Sequence, residues 1–182
     1  MKRNWYEYRI VELCKARNMH VTFTDDIIDS SEHIDLVCSI NGLAKTIDVK
    51  GASRIQKRDK QYSRTHRWLE IRNNTGLRGS LFGRADFLVI ASPIGWLWVD
   101  RNEVAGECVL RYIENVNKTK EGEDWHTRSV KGRNSVIILV PYKYLYKVAV
   151  CKWTDKKLYN KYGISIVFVC MFVYSMCSII FK

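Results

Sequence analysis

Ile34-Asp35-Leu36-Val37-Cys38-Ser39-Ile40-Asn41-Gly42-Leu43-Ala44-Lys45-Thr46-Ile47-Asp48-Val49-Lys50 reads as a β-hairpin. Asn-Gly between two apolar-rich runs signals a two-residue type I′ turn, because both central positions of that turn need positive φ. With Ile40 paired to Leu43, opposed residues sum to 83, and that register sets Asp35 opposite Asp48. Opposed residues on one face hold their Cβ atoms about 4.5 to 5.5 Å apart, close enough for two carboxylates to share a divalent ion. Lys50 stands two residues beyond Asp48 and points to the same face. The other face sets Ile34, Leu36 and Cys38 against Val49, Ile47 and Lys45, so it is apolar except at the turn end and is expected to pack.

Opposed like charges cost stability, and a shared cation converts that repulsion into binding. The plain alternative is a solvated face on which Lys50 neutralises the acids in a surface salt bridge. Register, apolar reverse face and a basic stretch downstream favour the site.

Upstream, Asn4 to Asn18 combines helix formers with apolar Tyr6, Ile10, Val11, Leu13 and Cys14, which predicts an amphipathic helix capped by Asn4 and carrying Glu7 and Glu12. His20 to Thr24 alternates as a short strand, and an acidic polar connection follows through Asp25, Asp26, Asp29 and Glu32. Downstream, strands are expected at Arg67–Arg72, Asp86–Ala91, Gly95–Asp100 and Ser135–Val140, with a helix near Val104–Asn115 and a loop from Asn117 to Arg133. Trp96 and Trp98 alternate in an apolar strand and read as core. Asp26 and Asp29 compete with Asp35 as the first acid, but neither falls opposite Asp48.

Asp35, then Asp48-Val49-Lys50, after a helix with Glu7 and Glu12, resembles the core of the PD-(D/E)XK nuclease superfamily. The order helix, strand, hairpin is similar to that of archaeal-type Holliday junction resolvases and related phage and restriction endonucleases. Trp68-Leu69-Glu70-Ile71-Arg72-Asn73, the glycine-rich Gly76 to Gly79 and then Ala85-Asp86-Phe87 resemble phage-type members. The usual proline before the first acid is replaced by Ile34. The resemblance spans about Glu7 to Val89. It implies an α/β fold with a restriction-endonuclease-like core, a mixed central sheet flanked by helices, and Mg²⁺- or Mn²⁺-dependent hydrolysis of DNA.

In those terms Asp35 and Asp48 hold the metal, with the Val49 backbone carbonyl as a further ligand. Lys50 orients the attacking water or stabilises the transition state. Glu7, ahead of Glu12, serves the metal's outer shell, the alternative being a solvated helix carboxylate. Glu70, between apolar neighbours on a strand, needs either a metal or a salt bridge to an arginine. Asp86 reads as structural.

Between Ala52 and Arg84 there are nine Lys or Arg against Asp59 and Glu70, so +7 of the chain's +11 follows the hairpin directly. Such a segment can neutralise several phosphates. Arg54 and Arg78, with Lys57, Arg58 and Arg84, are the candidate DNA contacts. A junction-resolving enzyme has to be a symmetric homodimer, and no interface is legible.

Residues 1–150 are expected to form the nuclease domain, 151–161 a basic linker and 162–182 a hydrophobic tail. From Ile164 to Phe181 no residue is charged. Eighteen residues reach about 27 Å as a helix, enough for a thin bilayer core. Lys152, Lys156, Lys157 and Lys161 before it and Lys182 after it orient such an anchor with the domain facing the cytosol. A buried C-terminal helix or strand is the alternative. The start offers no secretory signal, and the six cysteines have neither CxxC nor Cys/His metal spacing, so they read as buried apolar residues in a reducing compartment.

With 182 residues, 47% of them hydrophobic, the chain can bury a sizeable core, which excludes disordered and low-complexity classes. The sequence therefore predicts a metal-dependent DNA endonuclease, junction-selective or restriction-like. The other readings are an inactive nuclease-fold nucleic-acid-binding protein tethered to a membrane, and a basic membrane-associated interaction protein.

Overall fold

In a computed structural model, residues 3–54, 63–115, 125–129 and 134–162 are described. Helix α1 (Trp5–Lys15) starts where Asn4, itself extended, takes the N–H groups of Tyr6 and Glu7 at 2.8 and 3.2 Å. The Glu7 side chain returns to Asn4, closing a capping box that satisfies backbone groups at both ends of the exchange. Strand β1 (Val21–Phe23) follows. The stretch expected as a polar connection forms helix α2 (Asp26–Glu32): Asp25 accepts the Ile28 N–H at 2.8 Å, and His33 ends the helix in the left-handed region.

Strands β2 (Leu36–Ile40) and β3 (Leu43–Lys50) form the predicted hairpin, with Asn41 and Gly42 at φ 51° and 78°. The register runs from Ile40↔Leu43 to Leu36↔Ile47, as the turn dictates. Beyond lie β4 (His66–Arg72), a 3₁₀ turn (Ser80–Phe82), β5 (Phe87–Ser92), β6 (Gly95–Asp100), α3 (Arg101–Asn115), β7 (His126–Ser129), β8 (Val136–Pro141), α4 (Tyr142–Val148), β9 (Cys151–Trp153) and α5 (Lys156–Tyr162).

The central sheet is mixed, in the order β1-β2-β3-β5-β6-β9; β3 and β5 are parallel and the other neighbours antiparallel. One face carries Leu36, Cys38, Ile47, Val49, Val89, Ala91, Trp96 and Trp98 and packs on α1 and on Leu158 of α5. Its other face carries Leu88, Ile90, Leu97 and Val99 and packs on α3, α4 and a second, antiparallel sheet in the order β4-β8-β7. The molecule is thus an α/β fold whose mixed central sheet is flanked by helices.

Two expectations need correction. Residues 151–161 are no linker: β9 is the sixth strand of the central sheet, and α5 buries Leu158 and Tyr159. Asp155 between them accepts both Nε and Nη2 of Arg9 at 2.9 Å and the Trp96 indole N–H at 2.9 Å, which ties this segment to α1 and β6. Within the expected loop 117–133, residues 126–129 form strand β7 against β8. Among the described residues no helix is long and apolar enough to cross a membrane, and the tail 164–181 lies outside them.

Candidate functional site

Asp48 and Lys50 alternate with Ile47 and Val49 along β3. Because Ile47 and Val49 turn to the α1 face, Asp48 and Lys50 share the other face with their parallel neighbours Leu88 and Ile90. Asp48 is only 3% exposed. Lys50 Nζ lies 2.7 Å from Asp48 Oδ2 but outside hydrogen-bonding angles, so this buried oxygen has an ion contact and no hydrogen-bond donor.

Asp35 stands one residue before β2, and the ladder changes there. Its N–H donates to the Ile47 carbonyl at 2.8 Å, one step off the hairpin register. Its Oδ2 accepts the Val49 N–H at 2.6 Å. The two acids are therefore joined through the β3 backbone rather than simply opposed as a cross-strand pair. Burial, and then the nearby charge of Asp48, push the Asp35 carboxyl up to about 8, against the pull of the Val49 N–H and Lys50.

Glu7, the third position of α1, is buried beside them. Burial raises its pKa, the Asn4 backbone and Arg3 pull it down, and the charges of Asp29 and Asp48 push it up again. Glu12 is exposed and pairs with Arg9 and Lys157. The helix thus brings Glu7, and not Glu12, to the acids of the hairpin.

The structure adds Arg3 and gives Asp29, a rival first acid in the sequence, a structural partner. Asp29 is buried on α2, and its carboxylate meets the Arg3 guanidinium at 2.5 Å; Arg3 also donates to the Thr24 carbonyl. Reading 25–32 as a polar connection hid the helix that buries Asp29, although Asp25 as a cap already fixes the helical spacing.

Glu70 is not brought to this cluster. It sits half-buried on β4 of the second sheet, opposite Ile137 and packed on Gly79, where an added Cβ would meet the Glu70 carbonyl at 2.2 Å. Asp86 is structural: one carboxylate oxygen takes the Thr46 N–H and hydroxyl, each at 2.8 Å, which fastens β5 to β3.

Of the basic candidates, Arg54 and Arg78 are exposed. Arg84 pairs with Glu32 at 3.3 Å and so fastens α2 to the turn before β5. Lys57 and Arg58 lie outside the described residues.

Among the described residues, no three Asp, Glu, His or Cys groups close on one point as a metal cage. Mg²⁺ needs no such cage, because it keeps several waters and is held by one or two carboxylates. Asp35 and Asp48 supply two adjacent carboxylates, and Asp48 Oδ2 already meets a cation, the Lys50 ammonium at 2.7 Å, so the pair fits such an ion once Lys50 yields that oxygen. Like charges this close favour either a proton on one of them or a bound cation. Compared with known proteins, the chain matches no family model, no curated protein and no solved structure.

Proposed function

We propose that the chain is a Mg²⁺- or Mn²⁺-dependent endonuclease that hydrolyses DNA phosphodiesters at a PD-(D/E)XK-type site. One observation carries the reading: Glu7, Asp35, Asp48 and Lys50, from helix, strand edge and central strand, gather in one buried place where acids cost stability unless a cation is used. The α/β architecture with a mixed sheet agrees with a restriction-endonuclease-like core.

Asp35 and Asp48 would hold the metal, with the Val49 carbonyl beside them. When bound, the ion supplies charge neutralisation at the phosphate and a more acidic water. Lys50 offers a cation to the phosphate oxygens or orients the attacking water from the same face. Glu7 would serve the metal's outer shell from α1. Glu70 has no part in this arrangement. Exposed Arg54 and Arg78 hold the nucleic-acid backbone without reading its sequence.

The test is cleavage of plasmid and branched DNA by the full chain with Mg²⁺, Mn²⁺, Ca²⁺ or EDTA. Nicking in Mg²⁺ or Mn²⁺ and none in EDTA is expected; faster cutting of branched DNA would assign junction selectivity. DNA binding without cleavage under every metal would instead make the protein an inactive binding module.

A further inference from the structure

At the end of β3 lies a buried positive charge that no acid among the described residues pairs with. Arg67, on β4, is 4% exposed. Its position in the strand alternation is that of Leu69 and Ile71, the apolar face, which is no ordinary place for a cation. Nη1 donates to the carbonyl of Gly51, the residue after Lys50, and to Ser53 Oγ at 2.7 Å. Nε is buried without an acceptor.

None of the ion pairs among the described residues involves Arg67. The carbonyl that Arg67 holds follows Lys50, also a cation, in the chain; the Arg67 guanidinium lies 5.2 Å from the Trp68 ring, and its charge reaches the hydroxyls of Tyr142 on α4 and Tyr162 on α5. Those hydroxyls share the Ala91 carbonyl at 2.9 and 2.7 Å. Burial raises both tyrosines above the ordinary phenol value, the Arg67 charge only partly offsetting it, so they stay neutral. Holding the Gly51 carbonyl and the Ser53 hydroxyl needs N–H donors and no charge, and a neutral amide would avoid the cost of burying a cation.

We propose that Arg67 is a phosphate-binding residue: with Lys50 it forms a pair of cations at the end of β3 that takes a phosphodiester of the nucleic-acid substrate. A planar guanidinium can offer two N–H groups to phosphate oxygens, as a point-like ammonium does not. This rests on the phosphodiesterase reading, but the two fail separately. Arg67 is judged on DNA binding in Ca²⁺, without strand cleavage, and the nuclease on cleavage by the unaltered chain.

The experiment measures duplex DNA binding by the full chain against salt and pH. Arg67→Gln keeps N–H donors and removes the charge; its affinity should fall roughly tenfold and the slope of log affinity on log salt should drop by about one. Arg67→Lys keeps a charge that burial makes easier to lose. Its affinity should fall less than that of Arg67→Gln near neutral pH and several-fold further by about pH 9.5, where the arginine form stays charged. A folded Arg67→Gln chain with the original slope, or an Arg67→Lys chain that follows the original at every pH, overturns the assignment. Should Arg67→Gln fail to fold, the Arg67→Lys profile decides.

Discussion

The Asp35 carboxylate accepts the backbone N–H of Val49 at 2.6 Å, so the first acid of the site is tied to the strand that carries the second. Two consequences follow from burying Asp35 next to Asp48. Its proton is held to about 8 in the folded chain, against about 4 for an aspartate in an unfolded one. Between those values the folded state binds the extra proton, so without divalent metal stability should fall as pH rises from about 4 to 8. Glu7, also raised by burial, adds in the same direction. Urea unfolding in EDTA across this range checks it; Asp35→Asn should flatten the profile and raise stability near pH 8. A profile for the unaltered chain that rises toward pH 8 would contradict the shift.

Metal affinity should move the opposite way, because the ion displaces that proton. Calorimetric titration with Mg²⁺ or Mn²⁺ should show proton release and binding that strengthens toward pH 8, by up to about tenfold per unit. Affinity independent of pH would remove Asp35 from the ligands.

Glu7 has two jobs that one substitution separates. Glutamine completes a capping box as well as glutamate does, so Glu7→Gln should leave the unfolding midpoint nearly unchanged. Cleavage should fall at least tenfold if the carboxylate serves the metal's waters. Full activity would leave Glu7 as a cap alone.

Asp155 tests whether the segment beyond residue 150 belongs to the domain. Burial pushes its carboxyl up, but Arg9, the Trp96 indole and the Lys157 N–H more than offset this and hold it below the ordinary value. A lowered folded pKa gives stability that is present above about pH 4 and lost as pH falls through the folded value. Asp155→Asn should cost about 2 kcal/mol at neutral pH, by leaving Arg9 only its exposed partner Glu12, and should blunt that acid limb. Truncation before Lys156 should unfold the domain.

How much was legible follows from the range of each signal. Asn41-Gly42 is a local signal with one strongly favoured geometry, and it fixed five strand pairs and the faces of Asp48 and Lys50. Asn4 likewise announced its helix as a cap, and the structure adds the Glu7 side chain that closes the box three residues on. Asp29 was weighed only as a rival first acid, and its buried place on α2 was missed because short polar segments read as loops unless the cap is weighed first. Arg67 was counted with its basic neighbours as surface charge, although its alternation with Leu69 and Ile71 was visible. Glu70 was expected at the metal because strand alternation gives a face and not the sheet to which the strand belongs. β4 leaves the hairpin to pair with β8, some seventy residues later in the chain, and no local pattern encodes that.

The central claim is that Asp35 and Asp48 hold a catalytic metal, and the most direct measurement compares the full chain with Asp48→Asn on plasmid DNA in Mg²⁺, cleavage and binding followed together. The account predicts that the variant loses cleavage by at least a hundredfold while binding DNA as well as the unaltered chain or better, since it loses a ligand and a negative charge. Cleavage retained by a folded Asp48→Asn chain would contradict it.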